Sequence, residues 1–194
     1  MAKDELATED KCIVIGGSAG SLKVLLHFIP KIKPTIQVPI IIILHRKNDM
    51  QSTLENLLRE HTKLDIKEAE DKEKILPGTI YIAPPNYHLL IERNGTLSLD
   101  GSEKVLFSRP SIDVTFQSAA EVYGAGLLGI ILSGANNDGT AGLSTIKDYG
   151  GVVAIQNPKD AEIPAMPLSA LELIDPDYII NGNQIASIIN KFGQ

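Results

Sequence analysis

Residues 12 to 21 of the chain read CIVIGGSAGS, strand-forming residues that pass straight into a turn of glycine, serine and alanine. Two chemistries use such a turn at the end of a strand. Its backbone N–H groups can cradle a phosphate at the start of the following helix, or it can hold a serine nucleophile exposed at its tip. The spacing argues against the cradle. Counting G-x-G-x-x-G from Gly16 puts Ser18 and Ser21 where the second and third glycines belong, counting from Gly17 fares no better, and no Gly-Lys-Ser/Thr follows. A dinucleotide site also asks for an acidic residue at the end of the second strand, where this chain has His45 and Arg46. Gly16-Gly17-Ser18-Ala19-Gly20 does satisfy G-x-S-x-G. That pattern is short enough to arise by chance, and a serine before a helix is also an ordinary N-cap.

A serine nucleophile needs a base to take its proton and a third group to orient that base. Four histidines occur. His27 and His61 fall within helical segments and His88 opens a hairpin, which leaves His45, at the carboxyl end of the second strand, as the one beside the turn. A third strand runs into SGANNDGTAG at 133 to 142, where Asp138 stands at the start of a helix. Asp138 taken alone reads equally well as a helix cap. Together the three strand ends supply the residue types of a hydrolytic triad, in the order Ser, His, Asp rather than the Ser, Asp, His of the α/β-hydrolases.

The elements that must position these groups follow from periodicity. Nearly all-aliphatic strands are expected at 12–16, 39–44, 79–82, 127–132, 152–155 and 178–180, alternating with helices at about 20–29, 51–61, 112–123, 139–149, 165–173 and 183–191. Strands apolar on both faces belong to parallel sheets covered by helices, so the fold class is α/β, a doubly wound, mostly parallel sheet with helices on both faces. Asn94-Gly95 within HLLIERNGTLSLDG at 88–101 predicts an antiparallel β-hairpin insertion. EAEDKEK at 68–74 reads as a solvated loop or edge. In such sheets ligands gather at the carboxyl ends of the strands, which places the turn at a functional edge.

Length and composition bound the rest. The 194 residues, 43% hydrophobic, suit one domain over 1–194, with residues 1–10 expected to form a frayed tail. A net charge of −6 argues against nucleic acid as a partner. One cysteine, Cys12, excludes an internal disulfide or a multi-cysteine metal site and suits the cytoplasm. The longest apolar run, PIIIIL at 39–44, is too short for membrane insertion, and the charged first residues lack the apolar core of a signal peptide.

Several motifs in order resemble the catalytic domain of the CheB chemotaxis receptor methylesterases. They are the Gly-Gly-Ser-Ala-Gly-Ser turn, a His ending the second strand, Tyr81-Ile82-Ala83-Pro84-Pro85 with His88 following, Arg109-Pro110-Ser111-Ile112-Asp113, Ser133 to Gly139, and Ala154-Ile155-Gln156-Asn157. The likeness spans about residues 11 to 190. It implies a serine hydrolase, free of metal and organic cofactor, that removes methyl groups from glutamate γ-esters on the cytoplasmic helices of methylated chemoreceptors and can deamidate glutamines there. Carried over by position, it makes Ser18 the nucleophile, His45 the base and Asp138 the orienting carboxylate, with backbone N–H groups of Ala19 and Ala135 binding the oxyanion. Arg109, Ser111, Asp113 and Met166 become candidate substrate-binding residues, with caps and loop ties as the competing reading for the first three. Ala135, Asn136 and Ala165 stand where the family has methionine, glycine and glycine.

The family commonly carries an N-terminal receiver domain, whereas about ten residues precede the first strand here. The expectation is a stand-alone esterase, or a piece of a longer protein, open to a regulatory protein in trans. Two other readings compete: a catalytically silent domain of this fold that binds a receptor or regulator, and a hydrolase of a different ester or amide.

Overall fold

The computed structural model describes residues 11–46 and 54–194. In chain order the elements are β1 (Cys12–Gly17), α1 (Ser21–Phe28), β2 (Ile40–Leu44), α2 (Leu54–Arg59), β3 (Asp65–Glu68), β4 (Thr79–Ile82), β5 (His88–Ile91), β6 (Leu97–Asp100), α3 (Ile112–Tyr123), β7 (Leu127–Ile131), α4 (Thr140–Asp148), β8 (Val152–Gln156), α5 (Ala165–Leu173), β9 (Tyr178–Ile180) and α6 (Ile185–Phe192). Seven strands form one sheet in the order β3-β4-β2-β1-β7-β8-β9. Every pairing within it is parallel. The separate β5-β6 pair is the antiparallel hairpin.

The period-2 geometry of a strand explains the two-sided core. Ile13 and Ile15 of β1, with Ile40 and Ile42 of β2, meet Leu25 and Phe28 of α1, Leu58 of α2 and Ile185 and Ile189 of α6. Cys12, Val14, Ile41 and Ile43 point the other way, onto Phe116 of α3, Leu143 of α4, Met166 of α5 and the hairpin's Leu89 and Leu97. Full burial of each such side chain stabilises the fold by roughly 1.5–3 kcal/mol, which is what makes continuous aliphatic strands diagnostic. Burial also pushes the Cys12 thiol far up, so it is a core residue rather than a nucleophile.

From β1 the chain winds outward through β2 and then returns across the sheet to β7, so the connections leaving β1 and β7 run to opposite sides. A crevice opens at the carboxyl ends of strands where windings diverge in this way. The predicted strands and helices are present with ends shifted by no more than two residues, apart from α2, of which residues 51–53 lie outside the described residues. One strand is added: β3, inside a stretch where no strand was expected, pairs with β4 and occupies one edge of the sheet. Its charged Asp65, Lys67 and Glu68 hide it from any apolar pattern and suit an unpaired edge. Among the described residues, no helix is long and apolar enough to cross a membrane.

Candidate active site

The turn after β1 carries Ser18, half-buried, between the strand and α1. Its N–H donates to the carbonyl of Ser133 (2.9 Å) and to Oγ of Ser21 (3.1 Å). Ser21 is buried and its hydroxyl is spent on the same Ser133 carbonyl, at 2.6 Å. The Ser18 hydroxyl makes no hydrogen bond among the described residues. Gly20 completes the turn with φ +84, and a Cβ there would also sit 2.6 Å from Oγ of Ser133, so the position excludes other residues on two counts.

His45 follows β2, its own N–H donating to the Gly17 carbonyl at 3.1 Å, which seats it next to the end of β1. Its ring nitrogen Nε2 lies 2.7 Å from Oδ2 of Asp138, a fully buried carboxylate in the loop after β7. With the proton on Nε2 facing that carboxylate, the lone pair belongs to Nδ1. Ser108 Oγ stands 3.4 Å from Nδ1. The serine, the imidazole and the carboxylate thus come from the ends of β1, β2 and β7, three adjacent strands.

Asp138 is not the cap of its own helix, as the sequence alone allowed. It serves α3 instead, accepting from the N–H groups of Ile112 (2.8 Å) and Asp113 (3.0 Å) and from the Ser111 hydroxyl (2.9 Å). Asp113 returns the favour across the helix pair, its Oδ1 accepting from Gly139 (2.9 Å) and Gly142 (2.7 Å) at the start of α4. Each carboxylate sits at the positive end of the other's helix. Burial alone would raise the Asp138 carboxyl, but the hydrogen bond from His45 and the N–H groups of α3 outweigh it and hold the group below its usual range. Asp113 goes the other way. Burial first, and then the charge of Asp138, push it up to about 6 against the opposing hydrogen bond from Gly142.

These opposite directions make a prediction. An Asp whose folded pKa is raised is neutral in the fold at pH 4 and charged at pH 8, so its contribution falls as pH rises from about 4 to 6. Asn at 113 keeps an oxygen for both α4 N–H groups without the charge. The stability of Asp113→Asn relative to wild type should therefore rise with pH across that window, by up to about 3 kcal/mol. Urea titrations at pH 4, 6 and 8 measure it; a relative stability that falls with pH would show that Asp113 is held charged by α4.

The peptide groups that carry the N–H of Ala19 and of Ala135 are both pinned through their carbonyls. The Ser18 carbonyl accepts from Ser21 N–H at 3.0 Å, and the Gly134 carbonyl accepts from Met166 N–H at 2.9 Å. A trans peptide points its N–H opposite its C=O, so both N–H groups are aimed while neither has an acceptor among the described residues. Met166 is fully buried and packs on Gly134, where a Cβ would come within 2.5 Å of its Cε. Asn136, where the family has glycine, is absent from the positions of positive φ, so nothing in its backbone asks for glycine.

Three of the candidate substrate-binding residues are buried, Ser111 and Asp113 in the cap roles that were the competing reading. Ser111 is fully buried as the N-cap of α3, Asp113 is 7% exposed in its role on α4, and Met166 lies under the Gly134 loop. They support the site without reaching its surface. Arg109 borders the cleft beside His45, and its Nη1 donates to the carbonyls of Gly101 (2.7 Å) and Ser102, tying the loop after the hairpin. Sequence reasoning passed over two hubs. Ser133 Oγ donates to the Ala19 carbonyl (2.7 Å) and accepts from Ile163 N–H (2.8 Å). His88, 1% exposed, accepts from Ser111 N–H at Nδ1 (3.1 Å) and donates from Nε2 to the Glu103 carbonyl (2.9 Å). Both belonged to quoted motifs, but their partners lie in other elements. Among the described residues no group of three or more His, Cys, Asp or Glu is arranged to hold a metal ion.

A parallel, doubly wound sheet with a serine, a histidine and a buried carboxylate at adjacent strand ends places the chain in the class of α/β hydrolytic enzymes. Within that class it belongs to the CheB methylesterase family, whose model matches residues 13–189. A Thermotoga maritima protein named protein-glutamate methylesterase/protein-glutamine glutaminase is 35% identical over 182 residues, covering 92% of this chain and 53% of the relative, so the chain spans about half of that protein. A Leptospira interrogans chain, given the same two activities provisionally in its name, is 44% identical over 184 residues and matches 95% of each. The crystal structure of the Thermotoga maritima CheB methylesterase catalytic domain superposes with a TM-score of 0.89 at 34% identity, covering 93% of this chain and 97% of that one.

Proposed function

We propose that this chain is a protein-glutamate methylesterase, hydrolysing glutamate γ-methyl esters on the cytoplasmic helices of chemoreceptors, with the whole chain acting as one catalytic domain in the cytoplasm. The observation that carries the reading is the 2.7 Å contact between His45 Nε2 and buried Asp138, beside the strand end that carries the half-buried Ser18.

In this reading Asp138 orients the imidazole and stabilises the imidazolium, while Nδ1 is the basic nitrogen. Ser18 Oγ attacks the ester carbonyl and passes its proton to Nδ1. The tetrahedral oxyanion is met by the N–H groups of Ala19 and Ala135, each contributing about 3 kcal/mol by analogy with other such donors. Collapse expels methoxide, which takes the proton from His45 and leaves as methanol. Water then attacks the glutamyl-serine ester with His45 again as base, and the glutamate carboxylate departs with Ser18 restored. Ser18 and His45 are not hydrogen-bonded in this structure, and such contacts are commonly long in free enzymes and tighten in the substrate complex. Glutamine deamidation is the second reading, favoured by the glutaminase activity in the relatives' names; ammonia then leaves in place of methanol.

Methanol release from a methylated receptor fragment tests the activity, and a serine-directed phosphonylating reagent tests the nucleophile. One adduct is expected, on Ser18, since the Ser21 hydroxyl is buried and bonded. An adduct on Ser21, or none alongside methanol release, removes Ser18 from this role. No methanol release and no adduct would leave the fold as a silent binding domain, and an adduct on Ser18 without methanol release would leave a hydrolase of a different ester or amide.

A further inference from the structure

Val105 and Ser108 close a two-residue turn, exchanging N–H···O=C bonds of 3.2 and 2.8 Å. Its central residues are Leu106 at φ 46 and Phe107 at φ 63. Two-residue turns with positive φ at both central positions are normally filled by Asn, Asp or Gly, because larger side chains cost roughly 1–3 kcal/mol apiece there. The chain uses the inexpensive choice at its other hairpin, where Gly95 takes the left-handed position at φ 76. Here it instead presents Phe107, 95% exposed, beside Leu106 at 42% and Val105 at 36%. The tip belongs to the His45 cleft, for Ser108 Oγ is 3.4 Å from Nδ1, and Phe107 lines the cleft wall with Arg46, Lys104 and Arg109. Among the described residues that lining carries three cations and no carboxylate, on a chain of net charge −6; Arg46 is ion-paired to Glu68 just outside the lining and Arg109 is tied to the Gly101 and Ser102 carbonyls, which leaves Lys104 as the cation without such a tie.

We infer that the Val105–Ser108 turn is the substrate-recognition element of this enzyme, with Phe107 as its anchor on an amphipathic, acidic helix. This rests on the methylesterase reading. The turn's two backbone bonds fix where Phe107 leaves the chain, and an exposed aromatic with only two side-chain torsions gives up little conformational freedom when a partner covers it, the property of an interface hot spot. Lys104, with the positive charge that Arg109 keeps while tying its loop, complements the glutamates that share a helix face with the esterified one. The partner is thus a protein helix that presents an apolar residue within a turn or two of the ester, and a small ester has nothing for Phe107 to hold.

The test compares kcat/KM for a methylated receptor fragment with kcat/KM for p-nitrophenyl acetate. Phe107→Ala should lower the ratio of the two about tenfold. Leu106→Asn/Phe107→Gly, which restores favoured turn residues, should raise the melting temperature while lowering that ratio at least as much. A ratio within twofold of wild type in both variants overturns the proposal, as does an equal fall for both substrates, which would make the turn a support for His45. A wild-type enzyme that cleaves p-nitrophenyl acetate but releases no methanol overturns the methylesterase reading and this one with it.

Discussion

Alanine at position 18 should lower kcat for methanol release by at least about 10⁴, with melting temperature and circular dichroism unchanged. The separation of the two readouts follows from the hydrogen bonds. The Ser18 hydroxyl bonds nothing among the described residues, so its removal leaves none of them unsatisfied, while the backbone N–H that holds the turn to Ser133 and Ser21 remains. The loss is large because no neighbouring group can substitute. Ser21 Oγ is 2.6 Å from the Ser133 carbonyl and buried, and the Cys12 thiol is walled into the sheet. Elsewhere, removal of any member of such a triad leaves only the catalysis due to binding and the oxyanion donors. A loss under tenfold would transfer the nucleophile's role to another group.

Asp138→Asn should cost kcat about 10⁴, the magnitude seen when the corresponding aspartate of a serine protease is amidated. Here it should cost stability as well. All the donors around Asp138, namely His45 Nε2, the Ser111 hydroxyl and the N–H groups of Ile112 and Asp113, aim at its two oxygens. An amide nitrogen must face one set of them, and a buried donor left without an acceptor costs about 1–3 kcal/mol. Adding His45→Ala should then lower kcat little beyond His45→Ala alone, since triad members act as a unit. Steady-state kinetics and thermal melts of the two singles and the double measure this. If Asp138→Asn keeps kcat within about threefold of wild type, Asp138 is a cap and nothing more.

What could be read from the sequence divides along physical lines. Ile13, Ile15, Ile41 and Ile43 announce a buried parallel sheet because burial on both faces leaves a local, continuous apolar signature. That Ser18, His45 and Asp138 lie at one edge of the sheet was legible because each follows such a strand, where the topology of α/β sheets concentrates chemistry. The bonds that align them were not. Ser21 reaches Ser133 across 112 positions and His45 reaches Asp138 across 93, and no periodicity encodes a partner at that distance. The same limit explains why Ser111 and Asp113 stood open between substrate contact and helix cap, and why Met166 was taken as a substrate-binding candidate: a motif shows that residues act together, not which of them face the solvent. The Val105–Ser108 turn escaped for the opposite reason, since Leu106 and Phe107 are the residue types a turn rule discards.

The exchanged helix caps bear on how such a protein can change over generations. Asp138 and Asp113 each anchor the other's helix, so drift that merely preserves the fold also preserves the carboxylate His45 depends on. No such protection extends to Ser18, whose hydroxyl holds up no other element among the described residues. A lineage released from esterase duty would lose its serine first and its aspartate last. The informative residue in this chain is accordingly one whose side chain bonds nothing among the described residues: if Ser18 is the nucleophile, its hydroxyl answers to the substrate alone and not to the architecture.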